Sequence, residues 1–161
     1  EVRPDILILG KALSGGVLPV SAVFADDEIM LCIKPGEHGS TYGGNPLACT
    51  AASTTLKIIE EDKLMENAQT IGEFLVQGFK TRLGHLPGVV EIRGQGLMLG
   101  IALSQPCGAL VGRALEQGLL INVTADTVVR LLPSLIFSQA DAQQLLDKLC
   151  PLITDFLSQG E

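Results

Sequence analysis

The chain has 161 residues and is 47% hydrophobic, enough for one ordinary domain or one and a half small ones, and too apolar for wholesale disorder. A formal net charge of −7, a pI near 4.8 and no cluster of lysines or arginines argue against nucleic acid or an anionic membrane as the main partner. The four cysteines, Cys32, Cys49, Cys107 and Cys150, form no Cys-x-x-Cys pair and show no ligand spacing to His38 or His85, so no metal site is predicted; buried free thiols in a reducing compartment are. No apolar run is long enough to span a bilayer.

The first informative stretch is Asp5-Ile6-Leu7-Ile8-Leu9-Gly10-Lys11-Ala12-Leu13-Ser14-Gly15-Gly16. An apolar run without strict alternation predicts a strand buried on both faces, as in a parallel sheet. Lys11 then emerges at the carboxyl end of that strand, where open α/β sheets place their ligands. Burial there lowers the pKa of a lysine and makes its amine nucleophilic. Spacing alone favours the simpler reading, a surface lysine just past a strand. A strand buried on both faces needs neighbours on both edges, and the sequence that follows offers few. The chain is therefore expected to be the C-terminal piece of a longer protein.

Val20–Ala25 reads as a second short strand, and Asp26-Asp27-Glu28 places acids where a helix can start. Lys34-Pro35-Gly36 is a turn. In His38-Gly39-Ser40-Thr41-Tyr42-Gly43-Gly44-Asn45-Pro46, two hydroxyl residues flanked by glycines leave backbone N–H groups open to an anion. Asn45 is a good N-cap and Pro46 a good first helical residue. The helix is predicted to run to about Glu61, burying Leu47, Ala48, Ala51, Ala52, Thr55, Leu56 and Ile59.

A longer helix is predicted from Asp62 to about Leu83, with Leu64, Ala68, Ile71, Leu75 and Phe79 on one stripe; it is expected to link two domains. Beyond it, Val89–Ile92 and Leu97–Leu103 read as strands separated by Arg93-Gly94-Gln95-Gly96, and Pro106 to Gln117 as a short helix. Leu119–Val123 and Val128–Leu132 are apolar strands. Ser138 caps a last helix with Asp141 in the capping-box position, and Pro151 is expected to kink or split it.

Lys11 and the Ser40-Thr41 loop meet two needs of one cofactor. Pyridoxal phosphate has an aldehyde that a lysine amine can take up, and a phosphate that needs hydroxyls and backbone N–H groups. A Walker-type loop is excluded, because no glycine sits five residues before Gly10 and Ala12 stands where Ser or Thr is required.

Leu9-Gly10-Lys11-Ala12-Leu13-Ser14-Gly15-Gly16, Pro19-Val20-Ser21-Ala22 and His38-Gly39-Ser40-Thr41-Tyr42-Gly43-Gly44-Asn45-Pro46-Leu47 resemble the class III aminotransferases in order and spacing. Residues 1 to about 52 are most similar to the ornithine branch. From about Thr54 onward, through Ile58-Ile59-Glu60-Glu61-Asp62-Lys63-Leu64, Arg93-Gly94-Gln95-Gly96-Leu97-Met98 and Leu120-Ile121-Asn122-Val123-Thr124-Ala125-Asp126, the similarity shifts to the acetylornithine branch. The resemblance implies an α/β chain, the C-terminal portion of a fold type I pyridoxal-phosphate transferase. Residues 1–61 would end the cofactor-binding large domain, 62–84 form a linking helix and 85–161 a small C-terminal domain.

By the same resemblance, Lys11 is the lysine that holds the cofactor and later moves a proton at the substrate carbon. Thr41 binds the cofactor phosphate, serving the partner's site in a homodimer. Ser40 lines the substrate or phosphate site, and Arg130 meets a substrate carboxylate or pairs with a glutamate. The implied reaction moves the terminal amino group of ornithine or N-acetylornithine to 2-oxoglutarate, in arginine and ornithine metabolism in the cytoplasm. Another class III enzyme, such as a 4-aminobutyrate aminotransferase, or a non-catalytic or chimeric fragment stays open at this point. The family's aspartate that pairs with the pyridine nitrogen, its glycine-rich phosphate turn and its stacking aromatic are expected upstream, so the chain alone is expected to be inactive.

Overall fold

The computed structural model describes residues 2–159. Two compact units follow one another in the chain, Glu1–Asp62 and Lys63–Glu161.

In the first unit, strand β1 (Ile6–Leu9) pairs antiparallel with β2 (Ala22–Ala25), Ile6 opposite Ala25 and Leu9 opposite Ala22. This corrects the expectation of a buried parallel strand. Ile8 is 72% and Phe24 54% exposed, because a two-stranded ribbon has no layer over either face among the described residues. The apolar run has the composition of a covered strand without the cover. A single helical turn, α1 (Asp27–Met30), follows, its Asp26 bonding by a forked contact to Arg3. Helix α2 (Pro46–Glu61) starts as predicted: Asn45 Oδ1 accepts from the Ala48 amide at 2.9 Å, and Pro46 occupies the first turn. Its buried stripe is narrower than predicted. Ala48 and Ala52 are buried and Ala51, Thr55 and Ile59 half-buried, but Leu47 and Leu56 are exposed.

The second unit holds the hydrophobic core. Helix α3 (Leu64–Leu83) begins after Lys63, whose left-handed backbone (φ 52°) ends the preceding helix. Strands β3 (Val89–Gln95), β4 (Met98–Leu103), β5 (Asn122–Thr124) and β6 (Val128–Leu131) form an antiparallel sheet in the order β3-β4-β6-β5. The period-two alternation sorts its faces. Leu99, Ile101, Leu103, Val129 and Leu131 enter the core with Leu75, Phe79 and Leu83 of α3; Arg93, Met98, Thr124 and Arg130 stay exposed. Arg93 thus lies within a strand rather than in the predicted turn. The turn is the pair Gly96-Leu97, where Gly96 (φ 52°) supplies the positive φ that primed hairpin turns need.

Helix α4 (Ala109–Glu116) and helix α5 (Gln139–Ser158) complete the unit. The capping box forms as expected: Ser138 Oγ accepts from the Asp141 amide at 3.1 Å, and the Asp141 carboxylate accepts from the Ser138 amide at 3.3 Å. Pro151 does not split α5. Leu149, Leu152 and Ile153 are buried around it, and packing on the core holds the helix through the one backbone bond that proline cannot make. Arg82 of α3 bonds to Asp147 of α5 at 2.7 Å, and Arg113 sits 5.6 Å from the Phe156 ring centre.

The thiols divide by unit. Cys107 and Cys150 are buried in the second core, whereas Cys32 and Cys49 are exposed and correct the expectation of four buried thiols. Burial pushes the Cys150 thiol up to about 11, against the opposing pull of the nearby Arg82 guanidinium.

Candidate functional site

Lys11 stands two residues past β1, at the end of the strand where the sequence placed it. It takes a left-handed backbone (φ 55°), rare for a side chain with a Cβ. Overlapping turns then carry the chain back: the amides of Leu13, Gly15 and Val17 donate to the carbonyls of Gly10, Ala12 and Ser14. The side chain is exposed, so the desolvation expected to activate it is not supplied by the described residues around it.

Opposite lies the loop before α2. It braces itself: the Gly43 amide donates to Ser40 Oγ at 2.8 Å, and Asn45 Nδ2 donates to the Tyr42 carbonyl at 2.9 Å. The Gly43 N–H, read from the sequence as open to an anion, is therefore engaged by Ser40. The two segments meet around a cavity of about 460 Å³ lined by Lys11, Pro19, Val20 and Ser21 on one side and Tyr42, Gly43, Gly44, Asn45 and Ala48 on the other. Its size is that of small-ligand pockets.

Of the predicted residues, Lys11 lines this cavity; Ser40 and Thr41 lie in the same loop but off its wall, both exposed. Arg130 belongs to the second unit, on the exposed face of the sheet. There it faces Gly100 across β4, which in turn faces Arg93, and both arginines line a shallow cavity of about 380 Å³. Arg93 is bonded to Glu91. Among the described residues Arg130 has no carboxylate partner, which leaves its planar fork available to an anion. Ser21 carries no role in the sequence reading, and Tyr42 reads there as a residue that only packs at the helix entry, whereas it is 82% exposed and lines the cavity. The signal for both was adjacency, Tyr42 to Thr41 and Ser21 within the Pro19-Val20-Ser21-Ala22 motif.

The donor set fits pyridoxal phosphate. An amine stands at the wall of the cavity, Pro19, Val20 and Ala48 offer apolar surface to a flat ring, and Ser21 adds a hydroxyl.

The solved structures that this chain resembles share both its units. The ornithine aminotransferase of Toxoplasma gondii matches with a TM-score of 0.93 at 34% identity over 99% of this chain and 39% of its own. The acetylornithine aminotransferase of Elizabethkingia anophelis matches at 0.88 and 38% over 96% and 42%. These neighbours define the class as pyridoxal-phosphate-dependent aminotransferases of fold type I, with an α/β fold. The sequence profile of the class III aminotransferases matches residues 1–153, and the chain belongs to that family. Among curated proteins, acetylornithine aminotransferase 1 of Bordetella bronchiseptica is 48% identical over the whole chain, and the probable mitochondrial ornithine aminotransferase of Caenorhabditis elegans 44% over 99% of it. The chain spans about two fifths of the length of these relatives, 41% and 38%.

Proposed function

We propose that this chain contributes the lysine-bearing part of an aminotransferase that moves the terminal amino group of ornithine or N-acetylornithine to 2-oxoglutarate. The observation that carries the reading is Lys11, held just past β1 on the wall of a cavity shared with the loop before α2. The names of the relatives, divided between ornithine and acetylornithine aminotransferases, support the substrate class.

When bound, pyridoxal phosphate supplies an aldehyde that takes up amino groups and a ring that spreads the electrons of the reacting carbon. The Lys11 amine anchors it and, once free, moves a proton at the substrate carbon. The Thr41 hydroxyl, exposed and off the cavity that Lys11 lines, serves in this reading a phosphate held by a second copy of the protein in a homodimer. Ser40 shapes the loop that presents it and lines the substrate or phosphate site. Arg130 binds a substrate carboxylate or a glutamate with its fork. Residues 62–84 act as the link between a cofactor-binding domain and a small C-terminal one. The amino donor, 2-oxoglutarate and a second copy are the partners in this reading, and arginine and ornithine metabolism in the cytoplasm is its setting.

The test is covalent mapping. Incubation with pyridoxal phosphate, borohydride reduction and peptide mass spectrometry should find Lys11 modified above the other lysines, and Lys11→Ala should remove that peptide alone. Equal labelling of Lys11, Lys34 and Lys57 would refute the reading. With the parent enzyme, glutamate formation from 2-oxoglutarate separates ornithine from N-acetylornithine as donor.

A further inference from the structure

Between Lys11 and Pro19 the chain doubles back, and one side chain closes the loop. Ser14 is 1% exposed, the single buried polar residue among the described ones. Its Oγ accepts from the Leu18 amide at 3.1 Å and donates to the Leu18 carbonyl. Both backbone groups of Leu18 thus close on one hydroxyl. Only a group that accepts and donates at the same atom can do this.

The neighbouring residue docks the loop on α2. Gly15 has a left-handed backbone (φ 66°), and a Cβ there would stand 2.9 Å from Thr55 Oγ1. Thr55 is itself fixed, its hydroxyl donating to the Ala51 carbonyl at 2.8 Å. Thr55 continues the stripe of Ala48 and Ala52, and Ala48 lines the cavity that Lys11 lines. One end of α2 therefore builds the wall facing Lys11, while a point two turns further on holds the loop behind it. Lys11, in its left-handed conformation, needs such surroundings, because an L residue stays there only when its neighbours determine the backbone.

We propose that Ser14, backed by the packing of Gly15 on Thr55, is the positioning residue for Lys11. It sets the loop so that the amine stands at the cavity rather than sweeping through solvent. The inference rests on the reading of Lys11 as the amine that engages pyridoxal phosphate, and concerns a group that touches neither cofactor nor substrate. Alanine at 14 leaves both Leu18 groups without their partner and frees the loop. Threonine keeps the hydroxyl.

The experiment compares the full chain with its Ser14→Ala and Ser14→Thr variants. Each is treated with pyridoxal phosphate and borohydride, and the labelled fractions of Lys11 and Lys57 are read by mass spectrometry. Lys57 is an exposed amine on the outer side of α2, 3.6 Å from Glu61, and serves as the internal reference. The expected result is a roughly tenfold fall at Lys11 in Ser14→Ala, the loss of two hydrogen bonds, with Lys57 unchanged and Lys11 largely restored in Ser14→Thr. Preferred labelling of Lys11 that persists in Ser14→Ala overturns the positioning role and leaves the Lys11 reading standing. A fall at Lys11 accompanied by a rise at Lys57 also overturns it, because Ser14 would then act on the whole fold. No preference for Lys11 in the unaltered chain overturns the Lys11 reading, and this inference with it.

Discussion

At the scale of single residues, Lys11 combines a reactive group with a strained backbone. A left-handed conformation costs an L residue on the order of 1–2 kcal/mol, and glycine almost nothing. Lys11→Gly should therefore leave the first unit as stable or up to about 1 kcal/mol more stable, measured by denaturant unfolding, while abolishing the Lys11 label. Stability and chemistry would move in opposite directions at one position. Cys150 offers a second test. Its buried thiol is raised from an ordinary value near 9 to about 11, so the folded state holds its proton more tightly than the unfolded chain. The stability from burying the neutral thiol is complete below pH 9 and drains away as pH rises from 9 towards 11. Thermal unfolding of the second unit followed across that window should show the loss, and Cys150→Ala should flatten it.

At the scale of elements, two close approaches predict where substitution hurts. Gly72 lies in the middle of α3, where glycine is a poor helix former, because a Cβ there would fall 2.0 Å from the Gly96 carbonyl oxygen at the β3–β4 turn. Gly72→Ala should cost about 1–3 kcal/mol through overpacking against backbone that cannot turn aside, read as a lowered denaturation midpoint. Ser138→Ala should cost about 1 kcal/mol by removing the cap of α5. The cap was legible beforehand, since Ser138 and Asp141 at the right spacing define it locally. So were the N-terminus of α2, from Asn45-Pro46, and the stripe of α3. Burial of β1 was not legible, because four apolar residues in a row report what a strand prefers rather than what lies beside it. Nor was the fate of Pro151: a local rule forbids proline there, and core packing around Leu149 and Ile153 outweighs it.

For the whole molecule, the two units are unequal in what they bury. Every residue of the core cluster lies between Ile71 and Ile153, whereas Ser14, Ala48 and Ala52 are the buried residues described in the first unit. Amide exchange should therefore be fast across residues 6–25 and slow in α3, β4 and α5, as measured by deuterium uptake of peptides. The exposed apolar ribbon of β1 and β2 is also an unguarded sheet edge, and association rising with protein concentration is expected from it. The candidate site was legible only where chemistry coincided with a motif. Lys11 and its loop could be read from spacing and resemblance, but the hydroxyl of Ser14 could not, since a serine among glycines looks like a flexible linker until its burial is seen.

The division of the thiols has a practical consequence. A maleimide dye added to the native chain should reach only Cys32 and Cys49, leaving the second unit dark. Cys49 sits one residue past Ala48 of the cavity wall, so a fluorophore there reports on a ligand entering beside Lys11. The unmodified sequence thus carries its own attachment point for an optical binding assay, with no cysteine to add or remove from the core.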